Sequence, residues 1–210
     1  MSYRAVIFDL GGVVVGSPLH AIATYERDHD IPAGFINRVV VSTAPTGAWS
    51  RLERGELTLE QFYPAFDADC SAAGQRISAR VLMSRVAAAT IPRPAMLEAI
   101  RCIRTRGLLV GAITNNWIAE DGATAALRPQ FDAFIESSVV GLRKPDPRIF
   151  ELACSQLGVG PAEAIFLDDI GSNLKTARAL GMHTIKVEAP EAALAELRAL
   201  LGFDLRDGAL

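Results

Sequence analysis

The chain has 210 residues, of which 50% are hydrophobic and 21% charged, with a formal net charge of −3 at neutral pH. That suffices for a real core in one α/β domain with an insertion, and it excludes the basic stripe that nucleic acid demands: Arg101, Arg104 and Arg106 sit at helical spacing as a solvated face. The longest apolar runs, Val13 to Val15 and Leu108 to Ile113, are too short to span a bilayer, and Met1 to Arg4 leads into a strand rather than a leader, so a cytoplasmic protein with no membrane partner is expected.

The first element is the apolar run Ala5 to Phe8, which ends at Asp9 and is broken at once by Gly11-Gly12, the pattern of a buried parallel strand entering a loop. From Gly16 to Ile91 there are helix-like pieces and no convincing strand. Ser17-Pro18 resembles an N-cap followed by proline in the first turn, and Thr58-Leu59-Glu60-Gln61 is a capping box opening a helix toward Phe66. Pro92-Arg93-Pro94 marks a return to alternation. A helix is expected over Pro94 to Arg106 and a strand over Leu108 to Ile113, ending at Thr114-Asn115-Asn116. A weaker strand at Phe134 to Glu136 follows, then a helix over Pro147 to Leu157. Ala164 to Leu167 forms a strand ending at Asp168-Asp169, with a helix over Ser172 to Leu180. The strand His183 to Val187 and the helix Glu191 to Leu201 close the series.

Strands alternating with helices imply a doubly wound, Rossmann-like parallel sheet. The expected organisation is an α/β core made of residues 1–15 and 92–210, with a helical cap, residues 16–91, inserted after the first strand. Ligands bind such sheets beyond the carboxyl ends of the strands, so polar clusters scattered in sequence should converge in one crevice. Cys70, Cys102 and Cys154 are odd in number and have no histidine in metal-ligand spacing, which fits small buried hydrophobes in a reducing compartment.

The chemistry-bearing residues lie at those strand ends. Asp9 stands where a carboxylate can meet a ligand beside backbone amides; alone it would be an ordinary turn former. Thr114 and Asn115 offer a hydroxyl and an amide to anionic oxygens, although a plain turn explains them equally. Lys144 supplies a cation, although Lys144-Pro145-Asp146-Pro147 also reads as a helix start. Asp168 and Asp169 offer hard oxygen ligands suited to Mg²⁺, although an aspartate before Gly171 also caps a helix. It is the four together, in order along the strands, that point to a site.

Taken in order, Phe8-Asp9-Leu10-Gly11-Gly12-Val13, Thr114-Asn115, Lys144-Pro145-Asp146-Pro147 and Phe166-Leu167-Asp168-Asp169 resemble the four motifs of haloacid dehalogenase-like hydrolases. The resemblance spans nearly the whole chain and is strongest to the phosphatase-like domain of soluble epoxide hydrolase and to the related domain fused to certain acyl-CoA dehydrogenases. It implies a Mg²⁺-dependent hydrolase acting on a small phosphorylated metabolite. In it Asp9 would be the nucleophile forming an aspartyl-phosphate. Thr114 and Asn115 would hold phosphoryl oxygens, and Lys144 would bridge Asp9 and the phosphate. Asp9, the Gly11 carbonyl and Asp169 would ligate the metal, while Asp168 and Asn173 would support Lys144 and the loop.

The family's phosphatases carry a second aspartate two positions after the nucleophile, which protonates the leaving group and then activates water. Here that position is Gly11, a loss worth about 10²–10⁴-fold for poor leaving groups. His20 is one candidate replacement, and Trp49, Arg51 and Tyr63 are candidates for shaping a substrate pocket, with cap packing as their ordinary alternative. Two other readings stay open: a 2-haloacid dehalogenase-like enzyme, which would also lack the second aspartate but has no use for the Asp168-Asp169 pair, and a noncatalytic domain binding Mg²⁺ and an anion. The sequence names neither the substrate nor the oligomeric state.

Overall fold

The computed structural model describes residues 3–118 and 125–206. Five parallel strands, β1 (Ala5–Phe8), β2 (Leu109–Thr114), β3 (Ala133–Glu136), β4 (Ala164–Asp168) and β5 (His183–Lys186), form one sheet in the order β3-β2-β1-β4-β5. Beyond the insertion the helices are α6 (Pro94–Thr105), α7 (Ser137–Val140), α8 (Pro147–Leu157), α9 (Gly171–Ala179) and α10 (Pro190–Leu201). Neither the short helix α7 nor the 3₁₀ turns at Ala125–Gln130 and Pro161–Glu163 carried enough periodicity to be expected from sequence.

Alternation along the strands explains the layering. Val6, Phe8, Val110, Ala112, Ile165 and Leu167 face one way, onto Met96, Ile100 and Ile103 of α6 and Leu197 of α10. Ala5, Ile7, Ile113 and Phe166 face the other way, onto Ile149, Phe150 and Leu157 of α8 and Leu174 and Ala177 of α9. Successive side chains of a strand point to opposite faces, so apolar runs with no polar member are what a sheet covered on both sides requires. The strand order reverses at β1, which pairs with β2 on one side and β4 on the other. The crevice beyond the carboxyl ends of β1 and β4 is therefore the topological switch point where such sheets bind ligands.

The insertion between β1 and α6 is built of α1 (Pro18–Asp28), α2 (Phe35–Thr43), α3 (Ala48–Glu53), α4 (Leu59–Ala72) and α5 (Ala79–Ala88), with no named strand among its described residues. Its buried side chains, among them Ile22, Tyr25, Ile36, Leu52, Phe62, Phe66, Leu82 and Val86, form a cluster of their own. Helix α4 starts at the capping box, the Thr58 Oγ1 accepting from the Gln61 N–H at 3.3 Å and the Gln61 Oε1 from the Thr58 N–H at 3.0 Å. Ser17 occupies the N-cap of α1 without a side-chain bond, proline supplying the helical start instead. Where the chain leaves and re-enters the core, the Gly16 N–H donates to the Ile91 carbonyl (3.0 Å) and the Arg93 N–H to the Val14 carbonyl (2.9 Å). No helix of the described residues is long and apolar enough to cross a membrane.

Candidate active site

Asp9 directly follows β1, and its N–H donates to the Leu167 carbonyl at 2.8 Å, extending the ladder one residue past the strand. Its carboxylate therefore leaves the backbone at the sheet's carboxyl edge, beside Asp168, the last residue of β4. The turn that follows depends on glycine. Gly12 has φ +79°, and a Cβ there would fall 2.1 Å from Asp169 Oδ2, so a side chain at this position would be strained and would displace the Asp169 carboxylate. Arg93, in the return from the insertion, pins the same turn by donating through Nη1 to the Gly12 carbonyl at 2.7 Å.

Lys144 lies at the centre and is 1% exposed. Its ammonium contacts Asp9 Oδ2 at 2.9 Å and Asp168 Oδ2 at 2.7 Å, and donates to the Ile113 carbonyl at 3.0 Å. Asp168 is further held by the Asn173 amide, at 3.1 and 3.0 Å to its two oxygens, and by the Ile170 N–H at 2.7 Å. Its lone pairs are thus largely committed to the scaffold. Asp169 is half-buried and faces the cavity.

One carboxylate oxygen from each of Asp9, Asp168 and Asp169 lies within 4.8 Å of the others. Three carboxylates around one ammonium leave the cluster with more negative than positive charge. Burial pushes the Asp9 carboxyl well above the ordinary carboxylate value, Lys144 pulling it back and Asp168 and Asp169 adding to the rise. Burial, then Asp168, pushes Asp169 up to about 6. Burial alone would lower the Lys144 ammonium, but Asp168 and Asp9 outweigh it and hold it above its usual value. Hard oxygen donors in a site short of positive charge fit a small divalent cation such as Mg²⁺.

Thr114 is the last residue of β2 and is buried. The Asn115 carboxamide clamps the Lys144 backbone, its Oδ1 accepting from the Lys144 N–H at 2.8 Å and its Nδ2 donating to the Lys144 carbonyl at 3.0 Å. Its amide group is therefore occupied within the protein. Asn116 anchors this loop from behind through Ser137, Ser138 and Glu136.

Asp9, Gly11, Asn115, Lys144, Asp169 and Asn173 line a cavity of about 350 Å³, with Thr114 and Asp168 buried behind its lining. The insertion supplies the facing wall with Leu19, Ile22, Ile36, Val40, Val41 and Trp49. Trp49 thus shapes the pocket. Arg51, paired with Glu56 at 3.5 Å, and Tyr63, under the Arg80 guanidinium, do not line it. His20 is exposed and does not line it either, which leaves it out of reach of the Gly11 loop's side of the cavity.

Glu53 and Arg143 also line the cavity, and sequence reasoning missed both. Arg143 Nε contacts Glu53 Oε2 at 2.6 Å, and Trp49 Nε1 donates to Glu53 Oε1 at 2.9 Å. The one sequence signal is the adjacency of Arg143 to Lys144; Glu53 stands among Arg51, Arg54 and Glu56 with no motif to mark it.

Five parallel strands with a carboxylate-lysine centre at the switch point define a Rossmann-like α/β fold with an acidic site at the carboxyl edge of its sheet. A family model, haloacid dehalogenase-like hydrolase, matches residues 3–181, and the chain belongs to that family. It is 43% identical over 99% of its length to mouse acyl-CoA dehydrogenase family member 10, covering 20% of that protein. It is 34% identical over 98% of its length to pig bifunctional epoxide hydrolase 2, covering 40%. The chain thus spans well under half of these relatives. A sesquiterpene phosphatase of Aspergillus oryzae is 26% identical over 96% of this chain and 98% of its own. Among solved structures, a family enzyme of Bacteroides thetaiotaomicron in complex with magnesium and inorganic phosphate superposes with a TM-score of 0.63 at 20% identity, covering 90% of this chain and 96% of that one.

Proposed function

We propose that the chain is a Mg²⁺-dependent phosphatase that hydrolyses small phosphate monoesters whose organic part is apolar. The observation that carries this reading is Lys144, buried between Asp9 and Asp168, beside a cavity that is acidic at its floor and apolar on its facing wall. Asp9, Asp169 and the Gly11 carbonyl would hold the metal, which when bound supplies the positive charge that lets a phosphate dianion approach a carboxylate. Lys144 adds a fixed cation at the same point, so the Asp9 oxygen and the phosphoryl group meet without bare repulsion. Asp9 attacks phosphorus and the ester oxygen departs; water then cleaves the aspartyl-phosphate and returns Asp9. The Thr114 hydroxyl, at the end of β2, would hold a phosphoryl oxygen, and Asp168 and Asn173 keep Lys144 in place. The apolar wall of Leu19, Ile22, Ile36, Val40 and Val41 would receive the organic part. The sesquiterpene phosphatase supports that choice, being named for a hydrocarbon-rich substrate.

Among the described residues, the cavity lining has no evident general acid for the leaving group. Glu53 is the carboxylate contributed by the insertion, and its contacts with Arg143 and Trp49 are those of an acceptor. Good leaving groups are therefore favoured. The test is a screen of aryl, prenyl and sugar phosphates with and without Mg²⁺. Hydrolysis of aryl phosphates that stops with a chelator is expected, with prenyl phosphates slower because their alkoxide leaves without a proton. Chelator-resistant release of halide from a 2-haloacid, with no phosphate released from any ester, would overturn the reading.

A further inference from the structure

We infer that Glu53 is a positioning residue for Lys144, acting from the insertion through Arg143 and Asn115. The inference rests on the phosphatase reading, in which Lys144 must hold both Asp9 and the phosphate.

Arg143 and Lys144 are consecutive cations with opposite fates. The Lys144 side chain runs inward to Asp9 and Asp168, whereas the Arg143 guanidinium is turned to Glu53 at 2.6 Å and reaches Ser50 Oγ at 3.3 Å. Both partners of Arg143 lie on α3. Glu53 Oε2 also accepts from Asn115 Nδ2 at 3.5 Å, the amide that donates to the Lys144 carbonyl. The lysine backbone is thereby held by Asn115, and the preceding side chain by Glu53. Trp49 Nε1 fixes the remaining Glu53 oxygen, so the carboxylate has little freedom to turn away.

The contact of α3 with the core is close elsewhere too. Gly55, two residues on, has φ +71°, and a Cβ there would lie 2.2 Å from the Ser138 carbonyl oxygen in α7. The segment carrying Glu53 is thus pressed against the stretch that leads into Arg143. Without Glu53, Arg143 would be an unpaired cation at the cavity beside Lys144, able to compete for Asp9 or for the phosphoryl group. Glu53 therefore serves twice: it anchors the residue next to Lys144, and it leaves Lys144 as the cation that acts on the phosphate. Displacing a catalytic group by about 1 Å can cost on the order of 10²-fold.

The experiment uses Glu53→Gln, Arg143→Met and the double variant, with an aryl phosphate and saturating Mg²⁺. Inorganic phosphate binding is read separately by fluorescence, because the chain has 2 tryptophans and both Trp49 and Trp117 line the cavity. In Glu53→Gln, kcat should fall about 10–100-fold while phosphate binds as tightly or more tightly, the freed arginine adding attraction. In Arg143→Met, kcat should fall similarly while phosphate binds more weakly, the freed carboxylate repelling it. In the double variant, phosphate affinity should return to near that of the wild type, with kcat still low because the tether is gone. Either single variant keeping kcat within twofold of wild type overturns the inference. So does a fall in kcat matched by an equal loss of phosphate and Mg²⁺ affinity, the mark of a generally disturbed fold. If Glu53→Gln does not fold, Arg143→Met, whose side chain is partly exposed, decides alone. A wild-type protein that neither hydrolyses the ester nor binds phosphate with Mg²⁺ would remove the phosphatase reading first, before any variant is made.

Discussion

The cavity has two unlike walls. At the sheet edge, Asp9, Lys144, Asp168 and Asn173 are buried, charged or polar, and bonded to one another and to the backbone. Across from them, the insertion presents Leu19, Ile22, Ile36, Val40, Val41 and Trp49. The sheet edge is fixed by ladder hydrogen bonds and an ion-pair network, which gives the rigidity that charge placement needs. The insertion has its own apolar cluster and lines the cavity mostly with apolar side chains, its one carboxylate there, Glu53, being held by Arg143 and Trp49. Reactivity and selectivity are therefore separable, and substitutions in the two walls should leave different kinetic signatures.

The largest effect is expected on the sheet side. In the proposed phosphatase Asp9→Asn removes the nucleophile and should lower turnover on the order of 10⁴-fold or more, the scale seen when a nucleophile is lost. It also removes one of the crowded carboxylates, so the metal-free variant should melt no lower than the wild type. Calorimetry and a phosphatase assay on the same sample test both. A strongly destabilised variant would mean that Asp9 holds the fold together rather than storing repulsion for the reaction.

Asp169 comes next. Asp169→Asn should weaken Mg²⁺ binding roughly 10–100-fold, a range that even supporting residues of metal sites reach. Its carboxyl is pushed up to about 6, so the folded metal-free protein binds a proton that the unfolded chain, with an ordinary aspartate near 4, has already released. Stability from this group thus declines as pH rises from about 4 to about 6 and is flat above. Mg²⁺ must displace that proton, so stabilisation by the ion should be small at pH 5 and full by pH 7. Melting temperatures with and without Mg²⁺ across that range measure it. A difference independent of pH would place the ion elsewhere.

The difference between the walls also governs what could be read from sequence. Strands that bury both faces announce themselves as apolar runs, and the polar residues at their ends, Asp9, Thr114 and Asp168, mark where each run stops. The residues that meet at the sheet's carboxyl edge were therefore legible in order. The insertion's contribution was not, because a helix facing a cavity and a helix facing its own core show the same apolar stripe. His20 illustrates this. On α1, Pro18, Leu19 and Ile22 share the face toward the cavity, and His20, one residue past Leu19 and two before Ile22, is rotated toward solvent. The Glu53–Arg143 pair was hidden for another reason: its members are 90 residues apart, and each has nearer charged neighbours to suggest a surface role.

The smallest effect, and the sharpest test of the division, is where Pro18 of the insertion meets the loop after Asp9. Gly11 stands where the family's phosphatases carry their acid. Its φ lies outside the left-handed region, so the backbone does not demand glycine there. A Cβ at Gly11 would instead meet Pro18 of α1, 3.1 Å from Cγ and 3.2 Å from Cδ, tighter than side chains normally pack. Proline at the start of α1 thus fills space that an aspartate would need. Gly11→Asp alone should gain little, because the ring must shift before the carboxyl can reach a leaving oxygen. Gly11→Asp with Pro18→Ala should raise kcat/KM for alkyl phosphates by about tenfold, at the low end of what general acids contribute once the geometry is imperfect. Aryl phosphates, which leave without a proton, should change little. The measurement is log kcat/KM against leaving-group pKa for the wild type, each single variant and the pair. If the wild-type slope is already shallow, a proton donor acts from elsewhere in the insertion and the separation of the two walls is lost. If the slope is steep and flattens only in the pair, then Pro18 is what keeps acid catalysis out of this site.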